Sequence, residues 1–382
     1  MTEWFDVPGP RIGSATPAAA SQGAAPTTML LPGGAAPGEG GDYALVQRAI
    51  KMLETRKSDR PFCIFLALTQ PHPPYRAPAR FDTMYQPEQI APLSPPGLAK
   101  KPAFHAAIRK AYGLDAVSDL ELRRVRATYY GQVSYADWLF GHLLDALDRT
   151  GHANDTALFV ASDHGDYAGD YGLVEKWPSG LESALTHVPL IARIPGGARG
   201  AVCKDMVELY DIMATMLELG GASATHTHFA RSLLPQLHGA PGDPERAAFS
   251  EGGYNTYEPQ AFEPPLAGIY FAKSALQNSQ PDMVARVASV KTRRYNYIAR
   301  PGGQSELYDR LSDPRENRNL IDSPAHAKVR AELQNRLLNW YINTTGVPPL
   351  DKDPRDLPPF YPTPGNLPDD AQRRARILNA SD

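Results

Sequence analysis

Apolar and polar positions change rhythm several times along this chain. Tyr43, Val46, Ile50 and Leu53 recur at helical spacing and predict an amphipathic helix over 42–56. The run from Pro61 to Leu68 is mostly apolar with no alternation, which suits a strand buried on both faces of a parallel sheet. It meets Thr69-Gln-Pro-His-Pro-Pro-Tyr75, where the prolines cannot continue a strand. Residues 76–117 are Pro-rich and irregular and read as a surface excursion. Ser118 and Glu121 form a capping box that opens a long helix. Leu122, Val125, Tyr129, Val133, Leu139, Leu143 and Leu147 give that helix an apolar face, and Gly151 ends it. A second buried strand is expected over 156–161, a third over 188–194, and a helix over 207–219. Strands alternating with helices predict an α/β fold, a doubly wound and mostly parallel sheet in which 61–68, 156–161 and 188–194 run parallel.

After about residue 245 the rhythm shortens. Residues 284–290 and 294–298 read as alternating strands, Pro301-Gly-Gly303 as a turn, and 324–342 as a helix. This predicts a smaller C-terminal antiparallel α+β subdomain over 246–350, behind an α/β domain over 42–245. Residues 1–41, rich in Gly, Ala, Pro, Ser and Thr, read as a low-complexity linker or arm, and 351–382 as a Pro-rich tail.

Composition narrows the function classes. With 39 basic and 42 acidic residues the net charge is −3, which argues against nucleic acid or an anionic membrane as the main partner. No run approaches the roughly 18 apolar residues of a membrane span. No basic stretch followed by an apolar one opens the sequence, so the expected location is cytoplasmic. The two cysteines, Cys63 and Cys203, make neither a disulfide framework nor a zinc cluster. The oligomeric state is not legible.

In open α/β sheets ligands bind beyond the carboxyl ends of strands. His72 follows the strand 61–68, and Asp163 and His164 follow 156–161. Lys176 lies across a loop containing Gly165, Gly169 and Gly172, which can fold back to the same crevice. Taken singly, Asp163 reads as a turn residue, His72 as a loop histidine and Lys176 as a surface charge. Taken jointly they have a chemical logic. A carboxylate and an imidazole can hold a divalent cation, while a lysine and a second histidine can neutralise a tetrahedral anion.

Three stretches carry a resemblance. "PFCIFLALTQPHPPYRAP" at 61–78 is a strand followed by Pro-His-x-Pro. Residues 129–195 contain "VASDHGDYAGDYGLVEK" and "HVPLIARIPGG". "SELYDRLSDPRENRNL" at 305–320 matches a Leu-Tyr-Asp…Asp-Pro-x-Glu-x-x-Asn-Leu signature. In order and spacing these resemble the sulfatases of the alkaline-phosphatase superfamily over roughly 42–342. The resemblance implies an alkaline-phosphatase-like fold and metal-assisted hydrolysis of a small sulfated substrate. It implies a metal at Asp163 and His164, Ca²⁺ or, given the imidazole, Mn²⁺. It implies that Lys176 and His72 contact the sulfate, with His72 assisting the leaving group, and that Asp313 and Asn319 are structural. A phosphonate or phosphate ester hydrolase of the same superfamily, or a non-catalytic remnant, is the alternative.

The departures from the family pattern concern the nucleophile. Sulfatases use a formylglycine made within Cys/Ser-x-Pro-x-Arg, and neither Cys63 nor Cys203 stands in that context. The family's early Asp-Asp pair and His-x-Gly-Lys stretch have no counterpart either. The expectation is therefore a chain that begins late, lacks the first strand of its sheet, and is inactive alone.

Overall fold

The computed structural model describes residues 36–38, 40–224, 228–256 and 269–345, with backbone alone at 3–6 and 268. The linker assigned to 1–41 lies mostly, and the tail assigned to 351–382 wholly, outside these residues.

The α/β half opens with strand β1 (Glu3–Asp6) and helix α1 (Gly41–Thr55). Leu45, Val46, Ala49, Ile50 and Leu53 are buried on α1, the face expected from the spacing. Strand β2 (Phe62–Phe65) pairs in parallel with β1, Glu3 opposite Phe62 and Asp6 opposite Phe65. The expectation that the sheet's first strand would be missing is thereby corrected. The Glu-Trp-Phe-Asp segment is too short to stand out as a strand by periodicity, and its backbone supplies the pairing.

Residues 76–117 are more ordered than their prolines suggest. They include helix α2 (Phe104–Ala111), with Phe104, His105 and Ile108 buried. Helix α3 (Asp119–Arg149) spans 31 residues, about 46 Å at the usual rise. Its capping box is complete: the Ser118 hydroxyl accepts from the Glu121 amide, and the Glu121 carboxylate accepts from the Ser118 amide. Leu139 and Leu147 pack with α1, Phe62 and Ile64 in one core cluster. Val133, counted in the apolar face, is instead 44% exposed.

Strand β3 (Leu158–Ala161), helix α4 (Ser183–Thr186) and strand β4 (Leu190–Arg193) follow. β3 and β4 pair antiparallel, Leu158 opposite Arg193, and β2 belongs to a separate ladder. The expectation that 61–68, 156–161 and 188–194 pair as parallel strands is corrected. A parallel return needs a long crossover, usually helical. Between β3 and β4 the chain forms a loop and a four-residue helix, so it comes back in the opposite direction. Helix α5 (Asp211–Leu219) lies within the predicted 207–219, and α6 (Leu234–Leu237) is one turn.

The C-terminal half is the antiparallel unit expected. Strands β5 (Ala248–Gly252), β6 (Val287–Lys291), β7 (Tyr295–Ala299) and β8 (Glu306–Asp309) pair in chain order, with helix α7 (Phe271–Ser279) between β5 and β6 and helix α8 (Ala327–Thr344) last. Alternation sorts the two faces. Ala288, Val290, Tyr297 and Leu307 join Leu333 and Leu337 of α8 in one core. Val287, Ile298 and Tyr308 point the other way and meet Leu181 beside α4. That second face also carries buried polar groups. Lys291 Nζ donates to Thr186 Oγ1 at 2.6 Å, and Asn296 donates to the Glu316 carboxylate, which also accepts from the Ser183 amide and hydroxyl. Asn319 organises the same unit: its carbonyl accepts from the Leu307 and Ile321 amides. The Asp313 carboxylate accepts from the Arg318 amide. Among the described residues no helix is long and apolar enough to cross a membrane.

Candidate active site

Three elements bring the chemistry together. The loop after β2 is held from both sides. The Asp42 carboxylate of α1 accepts from the Thr69 and Gln70 amides, and the buried Gln132 of α3 donates to the carbonyls of His72 and Pro74. Between these anchors His72 presents its ring. Its Nδ1 lies 2.8 Å from the Pro73 carbonyl oxygen and donates to it, which leaves the Nε2 lone pair pointing away from the backbone.

After β3 the chain runs Ser162-Asp163-His164-Gly165. Gly165 passes so close to α4 that a Cβ there would meet the Ala184 carbonyl oxygen at 2.0 Å. A side chain would push the two segments apart. The loop then folds on itself through the Tyr167 amide to the Glu175 carbonyl and the Gly169 amide to the Leu173 carbonyl. Arg126 of α3 clamps its tip, donating to the Tyr167 and Ala168 carbonyls and to the Asp170 carboxylate. This hairpin returns Lys176 to the end of β3.

The four candidate residues converge. Lys176 Nζ lies 2.6 Å from His72 Nε2, with the ammonium donating. The His72 and His164 rings are 6.1 Å apart, edge to face. His164 Nδ1 donates to the Gly165 carbonyl at 2.8 Å, which frees Nε2, and that atom lies 3.7 Å from Asp163 Oδ2. The Asp163 side chain is 86% exposed, so the pair faces the open side of the crevice. Burial, reinforced by the Lys176 charge, holds the His72 imidazole below its ordinary pKa, so the resting ring is neutral and accepts from Lys176.

Behind this front row stand residues that motif reading passed over. Tyr75 is fully buried, and its hydroxyl donates to Asp166 Oδ1 at 2.6 Å and accepts from the Glu175 amide at 2.7 Å. Burial pushes the Asp166 carboxyl up to about 6. Glu175 is buried and adopts φ +62. Its Oε1 lies 3.4 Å from Lys176 Nζ and 2.9 Å from Lys273 Nζ of α7, a lysine that is itself buried. Tyr270 Oη lies 3.4 Å from both His72 Nδ1 and the Pro73 carbonyl oxygen. Tyr270 and Lys273 fall in the stretch 252–282, to which the sequence reading assigned no element. The apolar positions of the nine-residue α7 are the signal that was available. A cavity of about 220 Å³ lined by Met52, Leu53, Arg56, Phe62 and Ile64 lies at the opposite end of β2 and holds none of these groups.

Comparison with known proteins speaks to the family and to the fold. A family model described as Sulfatase matches residues 11–222, more than half of the chain. The chain belongs to the sulfatase family. It is 28% identical to a multifunctional alkaline phosphatase superfamily protein, PehA, of Trinickia caryophylli, over 78% of this chain and 58% of that protein. It is 28% identical to a choline-sulfatase of Rhizobium meliloti, over 74% of this chain and 52% of the relative. It thus spans only a little over half the length of these two relatives. A phosphonate monoester hydrolase of Agrobacterium radiobacter shares the fold, with a TM-score of 0.64, 23% identity, and coverage of 81% of this chain and 62% of that one. The α/β, alkaline-phosphatase-like class read from the sequence is the class of these structures, even though β3 and β4 pair antiparallel.

Proposed function

We propose that the crevice at the ends of β2 and β3 binds the anionic end of a small sulfate ester and belongs to a metal-assisted sulfuric ester hydrolase. The contact between Lys176 Nζ and His72 Nε2 at 2.6 Å carries this reading. An ammonium has three protons. One is directed at His72 and one faces Glu175, which leaves one for an anion. His72 has no proton on Nε2 while it accepts from Lys176. An anion that draws the ammonium toward itself frees Nε2, and its negative charge favours protonation there. His72 then becomes the acid that hands a proton to the leaving oxygen.

The donor set of Asp163 and His164 fits a shared divalent cation: a carboxylate oxygen and a free imidazole nitrogen 3.7 Å apart. Among the described residues no group of three or more acidic, imidazole or thiol side chains is assembled. The pair would therefore supply part of a coordination shell, with Mn²⁺ or Ca²⁺ as the ion. The cation would add electrostatic stabilisation of the reacting ester. The nucleophile is a separate matter. Cys63 lies on β2, where burial raises its thiol pKa, and Cys203 is exposed on another segment. Neither stands in the formylglycine motif. We infer that these 382 residues bind the ester without turning it over.

The test is equilibrium binding of p-nitrophenyl sulfate to the purified chain, beside an assay of p-nitrophenol release with added Mn²⁺ or Ca²⁺. Binding that Lys176→Ala weakens by roughly tenfold to a hundredfold is expected, the range for losing a hydrogen bond to a charged group, together with no release. Failure to bind the ester overturns the anion site. Release that Asp163→Ala abolishes overturns the statement on turnover. A second reading, a phosphonate monoester hydrolase, is favoured by the imidazole beside Asp163. It would show as tighter binding of an aryl phosphonate monoester than of the sulfate.

A further inference from the structure

The crevice has a charged back wall. Glu175 sits immediately behind Lys176 in sequence and between two ammonium groups in space, 3.4 Å from Lys176 Nζ and 2.9 Å from Lys273 Nζ. It is 1% exposed and Lys273 is 2% exposed, so water screens neither group well. The backbone is committed to this placement. An L-residue rarely adopts φ near +62, and here the conformation is held by the Tyr75 hydroxyl on the Glu175 amide and by the Tyr167 amide on the Glu175 carbonyl. The same hydroxyl donates to Asp166. One phenol therefore joins the Asp166 carboxylate to the backbone that carries Glu175, and the Glu175 carboxylate backs the lysine that faces the crevice.

We propose that Glu175 is a specificity-determining residue: its carboxylate subtracts one charge from the field that an incoming anion meets and so biases the crevice toward singly charged esters over doubly charged ones. The inference rests on the reading of the crevice as an anion site. The chemical distinction is real at neutral to mildly alkaline pH. A sulfate monoester or a phosphonate monoester carries one negative charge, and a phosphate monoester carries two. A buried negative charge one contact behind Lys176 repels the second charge of a dianion and does so without touching the substrate. Lys273 acts in the opposite sense, because it partly offsets Glu175. The size follows from Coulomb's law: at about 6 Å and an effective dielectric of about 20, one unit of charge alters the affinity ratio of a dianion to a monoanion by roughly tenfold to a hundredfold.

Four forms of the chain separate charge from structure: wild type, Glu175→Gln, Lys273→Met and the double variant. Each is titrated calorimetrically at pH 8 and low salt with p-nitrophenyl sulfate and p-nitrophenyl phosphate, and folding is verified by circular dichroism. Glu175→Gln is expected to raise the phosphate-to-sulfate affinity ratio about tenfold or more, and Lys273→Met to lower it. The double variant, which removes one charge of each sign, returns to within about twofold of the wild-type ratio and tolerates burial better than either single change. A ratio that stays constant across the four forms while both affinities move together overturns the inference and leaves the anion site standing. A wild-type chain that binds neither ester overturns both.

Discussion

Two sets of strands in this molecule invert the usual expectation of burial. The strands of the α/β half, β2, β3 and β4, are the apolar ones by sequence, yet most of their positions are only half-buried. Phe65 at the end of β2 is 69% exposed and Ile191 in β4 is 66% exposed. In the C-terminal half, β6 reads Val-Ala-Ser-Val-Lys and β8 reads Glu-Leu-Tyr-Asp, and every position of both is buried. Burial follows the layers that cover a strand, and the strand's own polarity decides what those layers must supply. One face of the C-terminal sheet meets α8 with aliphatic side chains. The other meets the segment 179–186 and has to satisfy Lys291 and Asn296 with partners from that segment and from Glu316, while Glu306 accepts from Arg300 and Tyr308.

The largest effect is expected where that polar face is densest. Glu182 is fully buried and receives His105 at 2.6 Å and the Tyr167 hydroxyl at 3.0 Å, with Lys101 Nζ at 3.7 Å. Those partners hold its carboxyl far below the ordinary range despite the cost of burial. Glu182→Ala leaves buried cations without their counter-charge and should cost about 3–5 kcal/mol in urea unfolding. A loss below about 1 kcal/mol would mean that this face contributes no more than a solvated surface.

Next comes Lys291, whose pKa burial lowers to about 8 from 10.5. The unfolded chain keeps this proton up to 10.5, whereas the folded chain releases it near 8. The unfolded state therefore binds more protons in that window, and stability rises with pH across it by about 3 kcal/mol. Lys291→Met should remove this rise, seen as a difference between the two proteins' unfolding free energies that changes between pH 8 and 10.5. A constant difference would show that the amine is better solvated than its position indicates. The smallest effect belongs to the other sheet: Ile191→Thr, at an exposed β-branched position, should move the unfolding free energy by less than about 0.5 kcal/mol. A larger loss would place Ile191 against a covering surface.

Much of this was legible in the sequence, for local reasons. The capping box at Ser118 and Glu121, the spacing of α1, and the turn at Pro301-Gly-Gly303 depend on neighbours within a few residues. The structure reproduces them, Gly303 adopting φ +83. His72, Asp163, His164 and Lys176 were legible because strand ends open onto a crevice, and a glycine-rich loop can fold back to it. The direction of β4 was not, because the return path depends on how the hairpin around Gly169 packs under Arg126. Glu175 and Tyr75 were missed for a related reason. A buried glutamate beside a lysine looks like an ordinary charged pair along a chain, and only the fold reveals the tyrosine hydroxyl and the second lysine closing around it. Lys273 belongs to a stretch to which the sequence reading assigned no element.

The spread of the site along the chain has a consequence for its birth. His72 and Lys176 are separated by 104 positions and His72 and Tyr270 by 198. At a synthesis rate on the order of ten residues per second, roughly ten seconds pass between the emergence of His72 from the ribosome and that of Lys176, and about twenty before Tyr270 appears. During that interval the loop around His72 has Asp42 and Gln132 to hold it, while Tyr75 still lacks the Asp166 carboxylate and the Glu175 amide. An ester that binds the finished crevice would thus report that the chain has emerged at least past Lys176, since no shorter nascent chain holds both His72 and Lys176.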